Sequence, residues 1–294
     1  MTVEAYAKVN LTLAVLGERS DGYHALRSLV VPISLNDTID LESRENAGSA
    51  NFPSGSQGDL CGTDNLCFKA ARALVGARGL DMRLLDGLSM RLTKRIPVGG
   101  GLGGGSADAA AVLVALNRLW GLGLSRRELA DIGAQVGSDV PALVLGGPVL
   151  MEGRGEIVTP IQLPNPLDLV VVDPGVFSST KEVYERLGRG KEGGEASEAA
   201  KRRGDAPDAC FDVSTSEGRF FNDLEKPAVE LHPEIGVAME RLRSAGGRSV
   251  TMSGSGACVF CLSSDADDAH RLAAEMSGRG YRAWAVRTIG QNMV

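Results

Sequence analysis

Six of the seven residues from Gly99 to Gly105 are glycine, and they open onto Ser106 and an alanine-rich run, "GGGLGGGSADAA". Backbone without Cβ atoms can approach an anion closely, and a helix starting at Ser106 adds its positive end, so this stretch suits phosphate. Three other readings compete. Gly99, Gly101 and Gly104 satisfy GxGxxG, but a dinucleotide fingerprint leads to a second parallel strand and an acidic residue about 20 positions on. Here two helical patterns come next, and Glu128 lies inside the second. A Walker loop needs a Lys followed by Ser or Thr, whereas Lys191 after Gly190 precedes Glu192. A flexible hinge would not be bracketed by Pro97 and an apolar helix.

Other chemically capable residues have an ordinary reading when taken singly. Asp139, in "GSDVP", suits a turn or helix cap. Lys8 suits the wet face of a strand, with Asn10 on the same face by period two. Tyr23 and His24, in "DGYH", suit a turn carrying a half-buried aromatic, and Tyr184 suits a helix. Gly254 and Gly256 mark a tight turn before a strand. Cys258 and Cys261 form a CxxC inside the apolar run "ACVFCL", without a second CxxC or a nearby His, and read as buried thiols.

The elements that must position these residues can be read from periodicity. Val3, Ala5, Ala7, Val9, Leu11, Leu13 and Val15 alternate with Glu4, Tyr6, Lys8, Asn10 and Thr12, which predicts a half-buried strand with all seven apolar residues on one face. "LRSLVVPISLNDTIDLES" predicts further strand, and "DNLCFKAARALVGARG" a helix capped by Asp64 and stopped at Gly76 or Gly79. "LSMRLTKRIP" is a strand delivering the chain to the glycines. A buried helix is predicted from Ser106 to Trp120, then another opened by a capping box from Ser125 to Glu128. "SDVPALVLGGPVLMEGRGEIVTPI" reads as strand. "DLVVVDPG" opens a second domain, giving 1–163 and 164–294 with the boundary near Pro164. Residues 188–210, rich in Gly, Ala and charge, read as a mobile insertion, and the rest of the chain alternates helix and strand in a ferredoxin-like way.

Composition narrows the classes. The chain has 294 residues, 43% of them hydrophobic and 23% charged, which is ordinary for a soluble globular protein. No apolar run approaches the ~18 residues of a membrane span, and "MTVEAYAKVNLTLAVL" lacks a secretory pattern, so the expected location is the cytoplasm. A net charge of −6 leaves no Lys/Arg excess to release counterions, which argues against a general nucleic-acid binder. The five cysteines, Cys61, Cys67, Cys210, Cys258 and Cys261, are irregularly spaced and suggest no disulfide framework. Oligomeric state is left open between monomer and weak dimer.

"IPVGGGLGGGSADAA" resembles the phosphate-binding motif of the GHMP kinases, small-molecule kinases that include galactokinase, homoserine kinase and mevalonate kinase. "AYAKVNLTL" and "SGSGACVF" resemble the family's first and third motifs, in the expected order. The resemblance spans Ala7 to Phe260, and it implies an α+β fold of two domains. The first would be a ribosomal protein S5 domain 2-like α/β domain and the second a ferredoxin-like domain, with the active site in the cleft between them. It implies transfer of the γ-phosphate of ATP to an alcohol. By that resemblance the ATP site takes in Pro97, Val98, Gly99, Gly100, Gly101, Leu102, Gly103, Gly104, Gly105, Ser106 and Ala107, with Lys94 and Asn65 beside it. Asp139 would be the catalytic base and Lys8 its cationic partner.

"DGYH", "AKVNL" and "GSDVP" together resemble the members that phosphorylate the 2-hydroxyl of a cytidine-diphosphate methylerythritol. This implies Asn10, Tyr23, His24, Tyr184, Gly254 and Ser255 on the acceptor side. Mg²⁺ is expected with ATP, because it neutralises the β- and γ-oxygens; no carboxylate cluster identifies protein ligands for it. The alternatives are a homoserine or mevalonate type of GHMP kinase, an ATP-binding regulator that has lost catalysis, and a dinucleotide-dependent oxidoreductase. Retention of Lys8 and Asp139 speaks against the regulator.

Overall fold

Two long strands, β1 (Thr2–Glu18) and β2 (His24–Ser43), pair antiparallel and form the spine of a six-stranded sheet. The computed structural model describes residues 1–18, 24–43, 64–189 and 220–290; Tyr23 and most of the predicted insertion lie outside them. β2 also pairs with β3 (Leu88–Thr93) and with β4 (Val149–Gly153), which turns back into β5 (Ile157–Pro160). The far edge of β1 takes β7 (Phe221–Asn222), in parallel, from the C-terminal half.

The second sheet contains β6 (Asp168–Asp173), β8 (Arg248–Met252), β9 (Val259–Leu262) and β10 (Arg282–Arg287), in the order β10-β6-β9-β8, all antiparallel. Helix α5 (Thr180–Arg189) comes after β6, α6 (Glu225–Leu231) and α7 (Pro233–Ser244) precede β8, and α8 (Ala266–Gly278) links β9 to β10. In chain order the strands stand fourth, first, third, second, which is the ferredoxin-like arrangement expected. Leu169, Val171 and Phe260 face a first core, while Val170, Val172 and Val259 face a second. Burial on both faces explains why "LVVV" and "VFC" are apolar without alternation.

The first core lies between the two halves. It joins Ala5, Ala7, Val9 and Leu11 of β1 to α1 (Leu66–Ala77) and α2 (Gly104–Leu119). The alternation of β1 does not persist along the strand. Val9 faces Val31 and Asn10 faces Val30, but Thr12 faces Leu29, so Leu11 is an extra residue in a bulge. Leu13 and Val15 are thereby carried out of the first core and into the second. A strict period-two reading cannot foresee this, because a bulge is a property of the pair of strands.

Three other expectations are corrected. Asn65, not Asp64, caps α1, its side chain accepting the Cys67 N–H at 2.8 Å. Helix α2 starts at Gly104, two residues early, so Ser106 sits in its first turn. Residues 140–145, read as strand, form helix α4 (Val140–Leu145), with Pro141 in the first turn, where a missing N–H costs nothing. The capping box of α3 (Arg126–Gly133) forms as predicted, Ser125 and Glu128 exchanging bonds. Cys67, Cys258 and Cys261 are buried free thiols, and desolvation pushes Cys261 up to about 12.

Candidate active site

A cavity of about 1230 Å³ lies where the glycine loop meets β1, the start of α4 and the turn before β9. Of the predicted site residues, its wall takes in all except Tyr23, outside the described residues, and Ala107, which is buried in the first turn of α2.

The loop is shaped from outside. Gly99, Gly101 and Gly103 have φ of +71°, +71° and +67°, a region where a side chain is strained. Their carbonyls are fastened one after another. Gly99 O accepts from Ala257 N at 3.2 Å, Gly100 O from Cys258 N at 3.0 Å, and Gly101 O from Ser253 Oγ at 2.9 Å and Lys8 Nζ at 3.0 Å. Leu102 O accepts from Lys8 N at 2.9 Å. In a trans peptide the N–H points opposite to the C=O, so tying these carbonyls to the protein turns the adjoining N–H groups away from it. That is the polarity an anion requires. A Cβ at Gly101 would overlap the Ser253 carbonyl oxygen and come within 2.8 Å of Gly256 O.

Lys8 is 4% exposed and stands beneath Gly103, whose Cβ, if present, would lie 3.1 Å from Lys8 Cε and 3.6 Å from Asp139 Oδ2. Lys8 Nζ donates to Asn10 Oδ1 at 2.7 Å and lies 3.5 Å from Asp139 Oδ2. Asn10 Nδ2 donates to Ser28 Oγ at 2.7 Å, and Ser28 Oγ donates to Thr12 O at 2.6 Å, which fixes the amide with its oxygen toward the ammonium. Asp139 takes the N-cap position of α4 but makes no side-chain cap bond, so its carboxylate remains available to the cavity, with a third of the side chain exposed. The face of β1 read as wet is therefore buried from Lys8 to Thr12, and Lys8 and Asn10 form the floor of the site.

On the opposite wall the rings of His24 and Tyr184 lie 5.1 Å apart and tilted by 36°. Burial, with Asp139 adding to it, pushes the Tyr184 hydroxyl up to about 12, so it stays a neutral donor. Ser255, next to Gly254, ties this wall to the loop region: Ser178 Oγ donates to Ser255 O at 2.7 Å, and Thr180 Oγ1 meets Ser255 Oγ at 2.7 Å.

Lys94 lines the cavity too, but its ammonium is held by Asp37 and by Asp108 Oδ2, the latter at 2.8 Å. Asn65 stands at the edge, engaged as a helix cap. Sequence reasoning missed Ser253, the Asp37 and Asp108 carboxylates, and Arg154. Arg154 sits in the turn from β4 to β5, where Gly155 packs on Ser138 beside Asp139. Its only signal was a cation flanked by two glycines, "GRG". Among the described residues no group of three or more His, Cys, Asp or Glu could hold a metal ion, and no helix is long and apolar enough to cross a membrane.

A cradle of fastened glycines over a lysine and carboxylate pair is the arrangement of a small-molecule phosphotransferase. Family models described as "GHMP kinases N terminal domain" and "GHMP kinases C terminal" match residues 65–147 and 212–282. The chain belongs to the GHMP kinase family. It is 41% identical over 296 residues to 4-diphosphocytidyl-2-C-methyl-D-erythritol kinase of Symbiobacterium thermophilum, covering 98% of this chain and 100% of that one. A crystal structure of 4-(cytidine 5'-diphospho)-2C-methyl-D-erythritol kinase matches with a TM-score of 0.81 at 35% identity, covering 99% of this chain and 100% of that one. A mevalonate kinase structure matches at a TM-score of 0.73 and 16% identity, with 99% and 100% covered, and shares the fold.

Proposed function

We propose that this chain transfers the γ-phosphate of ATP to the 2-hydroxyl of 4-(cytidine 5'-diphospho)-2-C-methyl-D-erythritol, a step of the methylerythritol phosphate route to isoprenoid precursors. The observation that carries the reading is the Lys8–Asp139 pair, 3.5 Å apart directly under Gly103. The triphosphate lies along the N–H edge of the loop, with Ser106 in the first turn of α2. The acceptor hydroxyl enters between Gly103 and Asp139. Asp139 takes its proton as the hydroxyl oxygen bonds to the γ-phosphorus and the bond to the bridging oxygen of ADP breaks. Lys8 supports the charge in transit and, through Asn10, is held where the hydroxyl arrives. His24 and Tyr184 cover the cytosine ring.

Mg²⁺ would belong to this reading as the partner of ATP, where it would neutralise charge on the phosphate oxygens, with no residue of the chain assigned to it. We place the domain boundary near Pro164, between β5 and β6. The reading also takes the protein as cytoplasmic, a monomer or weak dimer, and without nucleic-acid partners, the last from its net charge of −6.

A coupled ADP-release assay decides the matter. Turnover with the cytidylated acceptor, and none with homoserine or mevalonate, supports the assignment. Preference for either of the other alcohols overturns the acceptor while keeping the kinase.

A further inference from the structure

Lys94, Asp37 and Asp108 form a sealed group behind the glycine loop, their side chains 4%, 0% and 4% exposed. Two carboxylates share one ammonium, and Asp108 Oδ1 is buried with no hydrogen-bond partner among the described residues. For stability alone this is a poor arrangement, since a buried carboxylate left partly unsatisfied is costly and an uncharged isostere would serve better. Its connections give it a purpose. Asp37 Oδ1 accepts the backbone N–H groups of Arg95 and Ile96, at 2.5 and 2.9 Å, just ahead of the loop. Lys94 joins that segment to Asp108 in α2, just behind the loop, and its Nζ lies 3.3 Å from where a Gly104 Cβ would be. The two ends of a stretch that is nearly all glycine, with little conformational preference of its own, are thus braced to each other.

We propose that Asp37 and Asp108 are positioning residues of the nucleotide site, holding Lys94 and the two ends of the glycine loop at the spacing the phosphates require. This rests on the reading of the loop as the ATP cradle. Among the described residues, three titratable groups face Asp108: Lys94 after β3, Asp37 on β2 and Cys67 on α1, whose thiol burial pushes up well beyond neutrality. Helix α4 carries no titratable side chain, and Lys8 of β1 is engaged beneath Gly103. Burial, opposed by Lys94 and aided by Asp37, raises the Asp108 carboxyl to about 7. As pH rises through that value the group passes from neutral to a net negative charge behind the phosphate site, and ATP affinity falls.

Calorimetric titration of the full-length enzyme with ATP, and separately with cytidine diphosphate as the acceptor-side probe, tests this from pH 6 to 8.5. Asp37→Asn, isosteric, is expected to weaken ATP binding by roughly tenfold and to leave the cytidine diphosphate affinity where it was. Asp108→Asn is expected to flatten the decline of ATP affinity around pH 7. ATP itself titrates in this range, equally for enzyme and variant, so the difference between them is the readout. ATP affinity unchanged in both variants at every pH, or both ligands weakened alike in step with a fall in Tm, overturns the inference. A wild-type enzyme that fails to bind ATP removes the kinase reading and this inference together.

Discussion

Lys8 and Lys94 are both buried, both line the same cavity and both touch the glycine loop, yet their ammonium groups are committed differently. Lys94 meets two carboxylates that are themselves sealed from water. Burial works against its charge, but Asp108 and Asp37 outweigh that and leave its pKa raised. Lys8 meets an amide oxygen, a backbone carbonyl and one carboxylate that is a third exposed. A cation whose charge is matched twice over serves to hold structure in place. A cation solvated chiefly by neutral oxygens, beside one accessible carboxylate, keeps charge to give to a reacting group. The difference lies in the partners, since the residue type is the same.

The sharpest way to break this contrast is to remove each lysine's function in turn. Lys8→Met and Asp139→Asn are expected to lower kcat by roughly 10²–10⁴-fold, the range of a lost acid–base or charge-stabilising group, with ATP binding retained in calorimetry. Lys94→Met is expected to act on the ATP KM instead. An equal loss of kcat at saturating ATP in Lys94→Met would erase the distinction. Next in size is Gly101→Ala, which forces a Cβ against the Ser253 carbonyl at a φ of +71°. A loss on the order of 3 kcal/mol in urea unfolding, with ATP binding abolished, is expected; an unaltered midpoint would mean the loop is not held from behind.

A comparable effect on stability separates the two lysine environments by pH. The Asp108 carboxyl is raised in the folded state, from 3.8 to about 7, so it binds a proton there that the unfolded chain has already released. Its contribution to stability is full below about pH 4 and is lost as pH rises through about 7. Relative to wild type, Asp108→Asn should therefore gain stability across that window, on the order of 3 kcal/mol, read from urea midpoints at pH 4.5 and 8. A difference independent of pH would show that the carboxyl near Lys94 titrates normally. The smallest change is a control remote from both lysines: Ser125→Ala breaks the capping box of α3 and should cost about 1 kcal/mol, with both KM values unmoved.

Much of this architecture was legible because it is written locally. The capping box at Ser125, the strand before the glycines and the ferredoxin-like alternation of helix and strand in the second half come from short patterns and chain order. The motifs around Lys8, Gly99 and Asp139 marked the site through resemblance, while their residues singly suggested a wet strand face and a cap. What stayed hidden is long-range. The bulge at Leu11, which sends Leu13 and Val15 into another core, depends on β2. Asp37 reads as a strand residue because its partners Lys94, Arg95 and Ile96 lie far along the chain. Helix α4 was mistaken for strand because six apolar residues fit either state until Asp139 and Pro141 fix where it begins. Ser253 hides in a motif whose glycines draw attention first.

The fastening of the glycine carbonyls also sets an order of events during synthesis. Residues 99–105 leave the ribosome long before Ser253, Ala257 and Cys258, the groups that bond Gly99 O, Gly100 O and Gly101 O. Half of β1 likewise waits for its core, because Leu13 and Val15 pack with Val170, Val259 and Leu272. The nascent N-terminal half therefore carries the whole glycine sequence without its folded geometry, and, on the reading of the loop as the ATP cradle, nucleotide stabilises the chain only after β9 has emerged.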